Sequence, residues 1–314
     1  MWQTIEQMAP YAVAYTIPLL ITALGGLYSE RSGIVNIGLE GLMVIGSFIG
    51  GVTVYYFGAS LGSNAAWLGL ILAIIGGMLF SLLHAFASIN LNANQTISGT
   101  AINLLSSALV LFISRKFVGT GNIVINSMTR FDVPLLKDIP VLGRLFFTDT
   151  YPTTWFVLAI LVISWFVIER TRFGLRLRAC GEYPEAADAA GIRVARIRYI
   201  GVLLSGACAG LGGAIYTVTT AGQCNGSVDG LGFLALAGLI FGQWRPFRIL
   251  AATLFFGFAV TMAQISMLLP SLASVPPLIL KVFPYVVTML ALVAFSKSSQ
   301  APRASGKYFE YSKK

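Results

Sequence analysis

The chain alternates between long apolar runs and short polar breaks. From Gly41 through Ser114 there is no Asp, Glu, Lys or Arg over 74 residues. At about 20 apolar residues per crossing, that run holds about three membrane crossings. It dips at Gly58 to Asn64 and at Asn90 to Asn94, so helices are predicted near 9–27, 34–57, 66–88 and 95–114. Further spans are predicted at 152–168, 199–220, 249–269 and 276–295. Residues 230–242 are apolar but too short to cross alone, which suits a re-entrant or tilted segment. Polar stretches cover 115–150, with Pro134 and Pro140, and 169–198. The first run follows Glu6 and stays uncharged from Gln7 to Ser29. It lacks a positive start and a small-residue cleavage site, so it reads as a retained spanning helix and not a signal peptide.

Composition supports the same picture. Residues from the set AVILMFWYC make up 56% of the chain, charged residues 11%, and mean hydropathy is +0.80. Soluble domains carry about 25% charged residues. A soluble enzyme, a disordered chain and a collagen-like chain are therefore excluded. The expected fold is all-α: a polytopic membrane helix bundle of about nine segments. It forms a single domain over 1–296, followed by a basic cytoplasmic tail at 297–314. The three Cys, odd in number and widely spaced, give neither a disulfide framework nor a metal cluster. A single His, His84, leaves no His-based metal site and no Ser-His-Asp triad. No catalytic residue and no metal ligand is expected.

The net charge of +9 bears on topology before it bears on nucleic acid, which is not an expected partner. Seven Arg lie in 169–198, five Lys or Arg follow Ser296, and Arg245 and Arg248 follow the short segment. Counting crossings puts these with Arg31 on one face, which takes 15 of 21 positive charges. Five lie in 115–150, and Lys281 falls inside a span, where it can snorkel outward. The N-terminus and the 115–150 loop are then external. The 169–198 loop and the C-terminus are cytoplasmic.

Candidate chemistry is sparse. In the 169–198 loop, Glu182-Tyr-Pro184-Glu185-Ala186-Ala187 leads to Gly191. Pro184 suits a helix start, Glu185 the first turn, and Gly191 the end. The result is a two-turn helix, either an ordinary surface helix or one whose small Ala side lets a partner approach closely. Glu40 is the one acid placed well inside a span, and intramembrane acids default to a functional role. It either meets substrate, reaches water or Arg31, or pairs with a neighbouring helix. Asn36, Gln95, Asn103, Gln223 and Asn225 offer amide donors and acceptors to a polar solute, or to each other's helices. Phe233 either lines the path or packs. Asp229 is placed to N-cap the short segment. Gly46-x-x-x-Gly50 and Gly206-x-x-x-Gly210 are small-residue contacts, within the chain or against a second subunit. Segments 33–51 and 222–242 are loosely alike, as matching halves of transporters can be. His84 and Cys208 are expected to pack in the core, and Pro284, before Tyr285, to kink the last span.

Glu185-Ala186-Ala187-x-x-x-Gly191 resembles the coupling signature of ABC importer permeases. Gly33-Ile-Val-Asn-Ile-Gly-Leu-Glu-Gly41, Asn94-Gln-Thr-Ile-Ser-Gly-Thr-Ala-Ile-Asn103 and Gly232 through Pro246 resemble the branched-chain amino acid, ribose and nucleoside group. Within it the likeness is to the purine nucleoside, basic-membrane-protein type. Phe247 stands where the resemblance leads to Gly, and Asp229 where it leads to no acid. The resemblance implies the permease subunit of an ATP-driven importer for nucleosides, in a bacterial inner membrane. Simple sugars such as ribose are the alternative, and an ion-coupled secondary transporter the more distant one. It also implies ABC ATPase subunits that carry ATP and Mg and dock the 184–191 helix. A second, non-identical permease and an extracytoplasmic substrate-binding protein complete the expected partners. The chain itself has no phosphate-binding G-x-x-x-x-G-K-[ST] motif, so no cofactor is expected on it.

Overall fold

The computed structural model describes residues 2–134, 136–139, 143–265 and 300–309, with isolated positions between 279 and 289. Pro140, Lys281, Pro284 and most of the expected 276–295 span lie outside the described residues.

In chain order the elements are α1 (Trp2–Arg31), α2 (Leu39–Leu61), α3 (Asn64–Ile89), α4 (Gln95–Ile113), β1 (Ile123–Val124) and α5 (Pro152–Arg170). Then come α6 (Arg172–Glu182), α7 (Pro184–Ala189), α8 (Val194–Tyr216), β2 (Gln223–Cys224), α9 (Leu231–Phe241) and α10 (Pro246–Ile265). Among the described residues, seven helices are long and apolar enough to cross a membrane. The 11 residues of α9 rise only ~16 Å at ~1.5 Å per residue, about half a crossing.

Three expectations need correction. The second helix begins at Leu39, not near 34, because Gly33 to Gly38 is irregular and Gly33 sits at φ +95°. The 169–198 loop holds two helices, since the Arg-rich stretch before Pro184 also folds as α6. The 115–150 stretch contributes β1, whose Ile123 and Val124 pair antiparallel with Cys224 and Gln223.

Helices α1 and α8 form the interior, with 89% and 78% of their apolar windows buried, against 22% for α4. Glycines set the spacing. A Cβ on Gly46 would lie 1.9 Å from the Gly210 carbonyl oxygen, and one on Gly77 2.3 Å from that of Gly206. Both small-residue motifs therefore pack within this chain, bringing the backbones of α2, α3 and α8 into contact. With no hydrophobic drive between helices in lipid, this close packing is what holds them.

The bundle has two polar ends. At one, Arg31 faces Glu182 at 3.9 Å and donates to the Trp244 carbonyl at 3.0 Å. Residues 300–309 fold onto this end. The amide of Ala304 donates to the Gly181 carbonyl (2.9 Å), that of Gly306 to the Gly33 carbonyl (3.3 Å), and the Arg303 guanidinium bonds the Tyr183 hydroxyl. At the other end, Arg130 bonds Asp149 at 2.5 Å and lies over the rings of Tyr11 and Tyr151. Burial opposes the Arg130 charge, but its bonds to Tyr151 and Asp149 outweigh it and hold the guanidinium above the usual range.

Candidate functional site

The irregular Gly33–Gly38 segment sits between helices, so its backbone needs partners that water would otherwise supply. Side chains from α1, α3 and α4, and the segment's own Asn36, provide them, while Ser205 of α8 holds Asn36 in place. Gln95 accepts from the Val35 amide at 2.7 Å, and His84 Nε2 lies 3.0 Å from the Val35 carbonyl. A carbonyl can only accept, so Nε2 carries a proton. Nδ1 of His84 meets the Ser98 hydroxyl at 3.0 Å. Ser29 donates to the Ile34 carbonyl at 2.7 Å. Asn36, fully buried, donates to Ser205 at 2.9 Å and accepts from the Gly38 amide at 3.1 Å. Asn103 donates to the Ile37 carbonyl at 3.1 Å and accepts from the Gly41 amide at 2.7 Å. Asn36, Gln95 and Asn103 therefore come together as clamps on one broken strand of backbone. His84 joins them as a hydrogen-bonding bridge, a role beyond the simple packing expected of it.

Glu40 lies half-buried in the first turn of α2. Its two carboxylate oxygens accept from the Gly230 amide at 3.0 Å and the Gly232 amide at 2.6 Å. It thus caps the N-terminus of α9, where orphan amides and the helix dipole both favour negative charge. This corrects the expectation that Asp229 would cap that helix: the cap position is Gly230, and it has no side-chain cap of its own. Gly232 makes the approach feasible, since a Cβ there would lie 2.4 Å from the Glu40 Cα. Arg31 is held by Glu182 and Trp244 instead. The neighbouring Glu30, buried, accepts from the Trp244 indole at 2.6 Å. The sequence carries no sign of that bond, because Glu30 has the look of the polar end of a span.

Asp229 takes a different part. It sits at φ +54°, and its Oδ2 accepts from the Tyr216 hydroxyl at 2.6 Å. It opens on a cavity of about 460 Å³ between α1, α8, α9 and α10, walled by Tyr15, Tyr216, Tyr285, Gln264 and the aliphatic Leu231, Leu234 and Val260. Tyr285 also donates to the Asp229 carbonyl at 3.4 Å. The other sequence candidates lie elsewhere. Gln223 is exposed in β2 and accepts from Asn122 at 3.0 Å. Asn225 is exposed and accepts from the Ser227 amide at 3.1 Å. Phe233, on α9, is 47% exposed.

At the Arg31 end, α7 stands out from the bundle. Pro184 and Ala187 are buried against it, while Glu185, Ala186, Ala189 and Gly191 are exposed. Gly191 adopts φ +80° and closes the helix by donating to Asp188 at 2.9 Å. Glu182, just before α7, joins Arg31, Arg178, Arg245 and Arg303 around a cavity of about 790 Å³. In α6 beside it, burial pushes the Cys180 thiol up to about 11, with Arg198 pulling the other way.

A multi-pass bundle with one half-length apolar helix and a short helix exposed at one polar end is the architecture of a membrane protein, and its class follows from its relatives. The family model described as branched-chain amino acid transport system, permease component, matches residues 8–292, and the chain belongs to that family. It is 46% identical over 307 residues to the guanosine ABC transporter permease protein NupQ of Bacillus subtilis, covering 97% of this chain and 96% of that one. It is 41% identical over 305 residues to the nucleoside ABC transporter permease protein NupC of Lactococcus lactis, covering 96% of each. To NupP, also named as a guanosine ABC transporter permease of Bacillus subtilis, it is 26% identical, over 82% of this chain and 72% of that one.

Proposed function

We propose that this chain is one of two non-identical permeases of an ATP-driven nucleoside importer in a bacterial inner membrane. Near-complete coverage by relatives named for guanosine and nucleosides supports the substrate class. The single observation in the structure that carries it is Glu40 on the N-terminus of α9. Half-helix N-termini in transporters often receive an anionic group of the substrate. Here a carboxylate of the chain itself fills that place, which suits a neutral polar solute and not an amino-acid carboxylate or a nucleotide. The second permease is supported by the names NupQ and NupP in one organism, of which this chain is far closer to the first.

The clustering of Arg31, Arg178, Arg245 and Arg303 with α7 at one end supports a cytoplasmic orientation for that end. ATPase subunits carrying ATP and Mg would grip α7 through its exposed Glu185, Ala186 and Gly191, with Glu182, Pro184 and Ala187 seating it on the bundle. Closure of the ATPases would push α7 and tilt the bundle between outward and inward openings. The external 115–150 loop would meet the substrate-binding protein.

The test is uptake by the reconstituted assembly of both permeases, ATPases and binding protein. Labelled guanosine should enter only with hydrolysable ATP. Uptake of ribose but not of any nucleoside, or uptake that persists without the ATPase, would overturn the reading.

A further inference from the structure

The cavity walled by Tyr15, Tyr216, Tyr285 and Asp229 plays no part in clamping the broken segment or capping α9. Its volume of about 460 Å³ falls in the ~300–1,000 Å³ range of small-ligand pockets. Its depth fits a transport path: Tyr15 lies near the middle of α1, and the floor is the first turn of the half-length helix α9. Its lining combines flat rings and aliphatic side chains with a few convergent polar groups, the usual make-up of a site for a planar polar molecule.

Asp229 is the distinguishing group. Among the described residues no Lys or Arg pairs with it. The Tyr216 hydroxyl orients one of its oxygens from 2.6 Å. A carboxylate accepts at about four lone-pair sites, so one hydroxyl leaves acceptor capacity beside the cavity that Asp229 lines. The residue sits at φ +54°, and the amides at the start of α9 are already taken by Glu40. Such backbone positions persist where the surroundings impose them, often at ligand sites.

Resting on the nucleoside reading above, we infer that this cavity holds the nucleobase during passage, and that Asp229 selects bases presenting adjacent N–H donors, as a 2-amino lactam purine does. A carboxylate offers two acceptors side by side. Guanine answers with its ring N1–H and exocyclic amino group. Adenine presents a ring-nitrogen lone pair beside its amino group, and that lone pair meets the carboxylate in repulsion. The tyrosine rings supply stacking that any base can use.

The experiment compares guanosine with adenosine uptake by the whole reconstituted importer, per inserted transporter. The binding protein is the same throughout, so its own preference cancels between variants. Asp229→Asn replaces one acceptor with a donor, and the guanosine-to-adenosine ratio of kcat/KM should fall by ~10-fold or more, since each good paired contact discriminates by about that much. Asp229→Glu keeps the carboxylate and should keep the preference for guanosine even where total uptake drops. Tyr15→Leu should lower uptake of both nucleosides while leaving their ratio within about two-fold, because stacking is indifferent to base identity. If the wild-type importer carries nucleosides and Asp229→Asn leaves the ratio unchanged, or lowers both substrates alike, this inference is overturned and the functional reading stands. If the wild-type importer carries no nucleoside, both fall together.

Discussion

Glu40 shows how one side chain ties two segments far apart in sequence. Its carboxylate serves the Gly230 and Gly232 amides, and the residue next to the helix, Asp229, does not. Local capping rules assign the cap to the adjacent acid, so the sequence points to Asp229. The rule loses here because a carboxylate from another helix reaches the same amides and leaves Asp229 to Tyr216. The amides behave in a similar way. That Asn36, Gln95 and Asn103 are polar and intramembrane is plain in the sequence. That they converge on Val35, Ile37, Gly38 and Gly41 is not, because Gln95 and Asn103 reach partners 60 to 66 positions away, and only the Asn36–Gly38 bond is local. Replacing Glu40 with Gln leaves one acceptor for two amides and removes the charge facing the helix dipole. The purified subunit should lose about 1–3 kcal/mol of stability, read as a lower thermal midpoint in detergent. An unchanged midpoint would mean that the cap contributes nothing.

Among elements, legibility follows hydropathy. The spans from α1 through α10 stand out because an apolar run of crossing length, in a chain this poor in charge, has almost nowhere to go but a bilayer. The short segment also stands out, since length alone shows that it cannot cross. What hydropathy misses is backbone state. Gly33 to Gly38 is as apolar as a helix, and only tertiary hydrogen bonds reveal it as unwound. The Arg-rich α6 reads as loop by hydropathy because its charges mask the apolar residues, although buried Gly174, Leu177, Cys180 and Gly181 recur at helical spacing. The pairing of β1 with β2 spans two residues on each side, about a hundred positions apart, and leaves no local trace. The α7 helix is legible from Pro184 through Gly191, since its start and stop residues are local. Its exposed Glu185 and its Gly191 at φ +80° are the positions to change. Glu185→Ala and Gly191→Val should each lower uptake at least ~10-fold while the assembly still hydrolyses ATP and the chain inserts normally. The Val substitution acts by straining the turn, at about 1–2 kcal/mol for a residue in the left-handed region. Uptake that stays normal in both variants would show that α7 is not the transmitting element.

At the scale of the whole molecule, charge and geometry agree. The end rich in arginine carries α6, α7 and residues 300–309, and the opposite end carries the β1–β2 pair and the Arg130 cluster. The sequence marks 297–314 only as a basic cytoplasmic tail. Its described part binds Gly181, Tyr183 and Gly33, so it contacts both the base of α7 and the broken segment that the amides clamp.

The central claim is that α7 is a handle gripped from the cytoplasm by a separate ATPase. Ala189 is exposed on α7, and the native Cys180 nearby is buried with its thiol held protonated at neutral pH, so background reaction is low. The direct measurement is thiol cross-linking from Ala189→Cys in the assembled transporter in membrane vesicles of known orientation. The account predicts a cross-link to the ATPase subunit that changes in yield when ATP is added, and labelling by impermeant maleimide only from the cytoplasmic face. Labelling from the external face, or a cross-link to the binding protein and none to the ATPase, would contradict it.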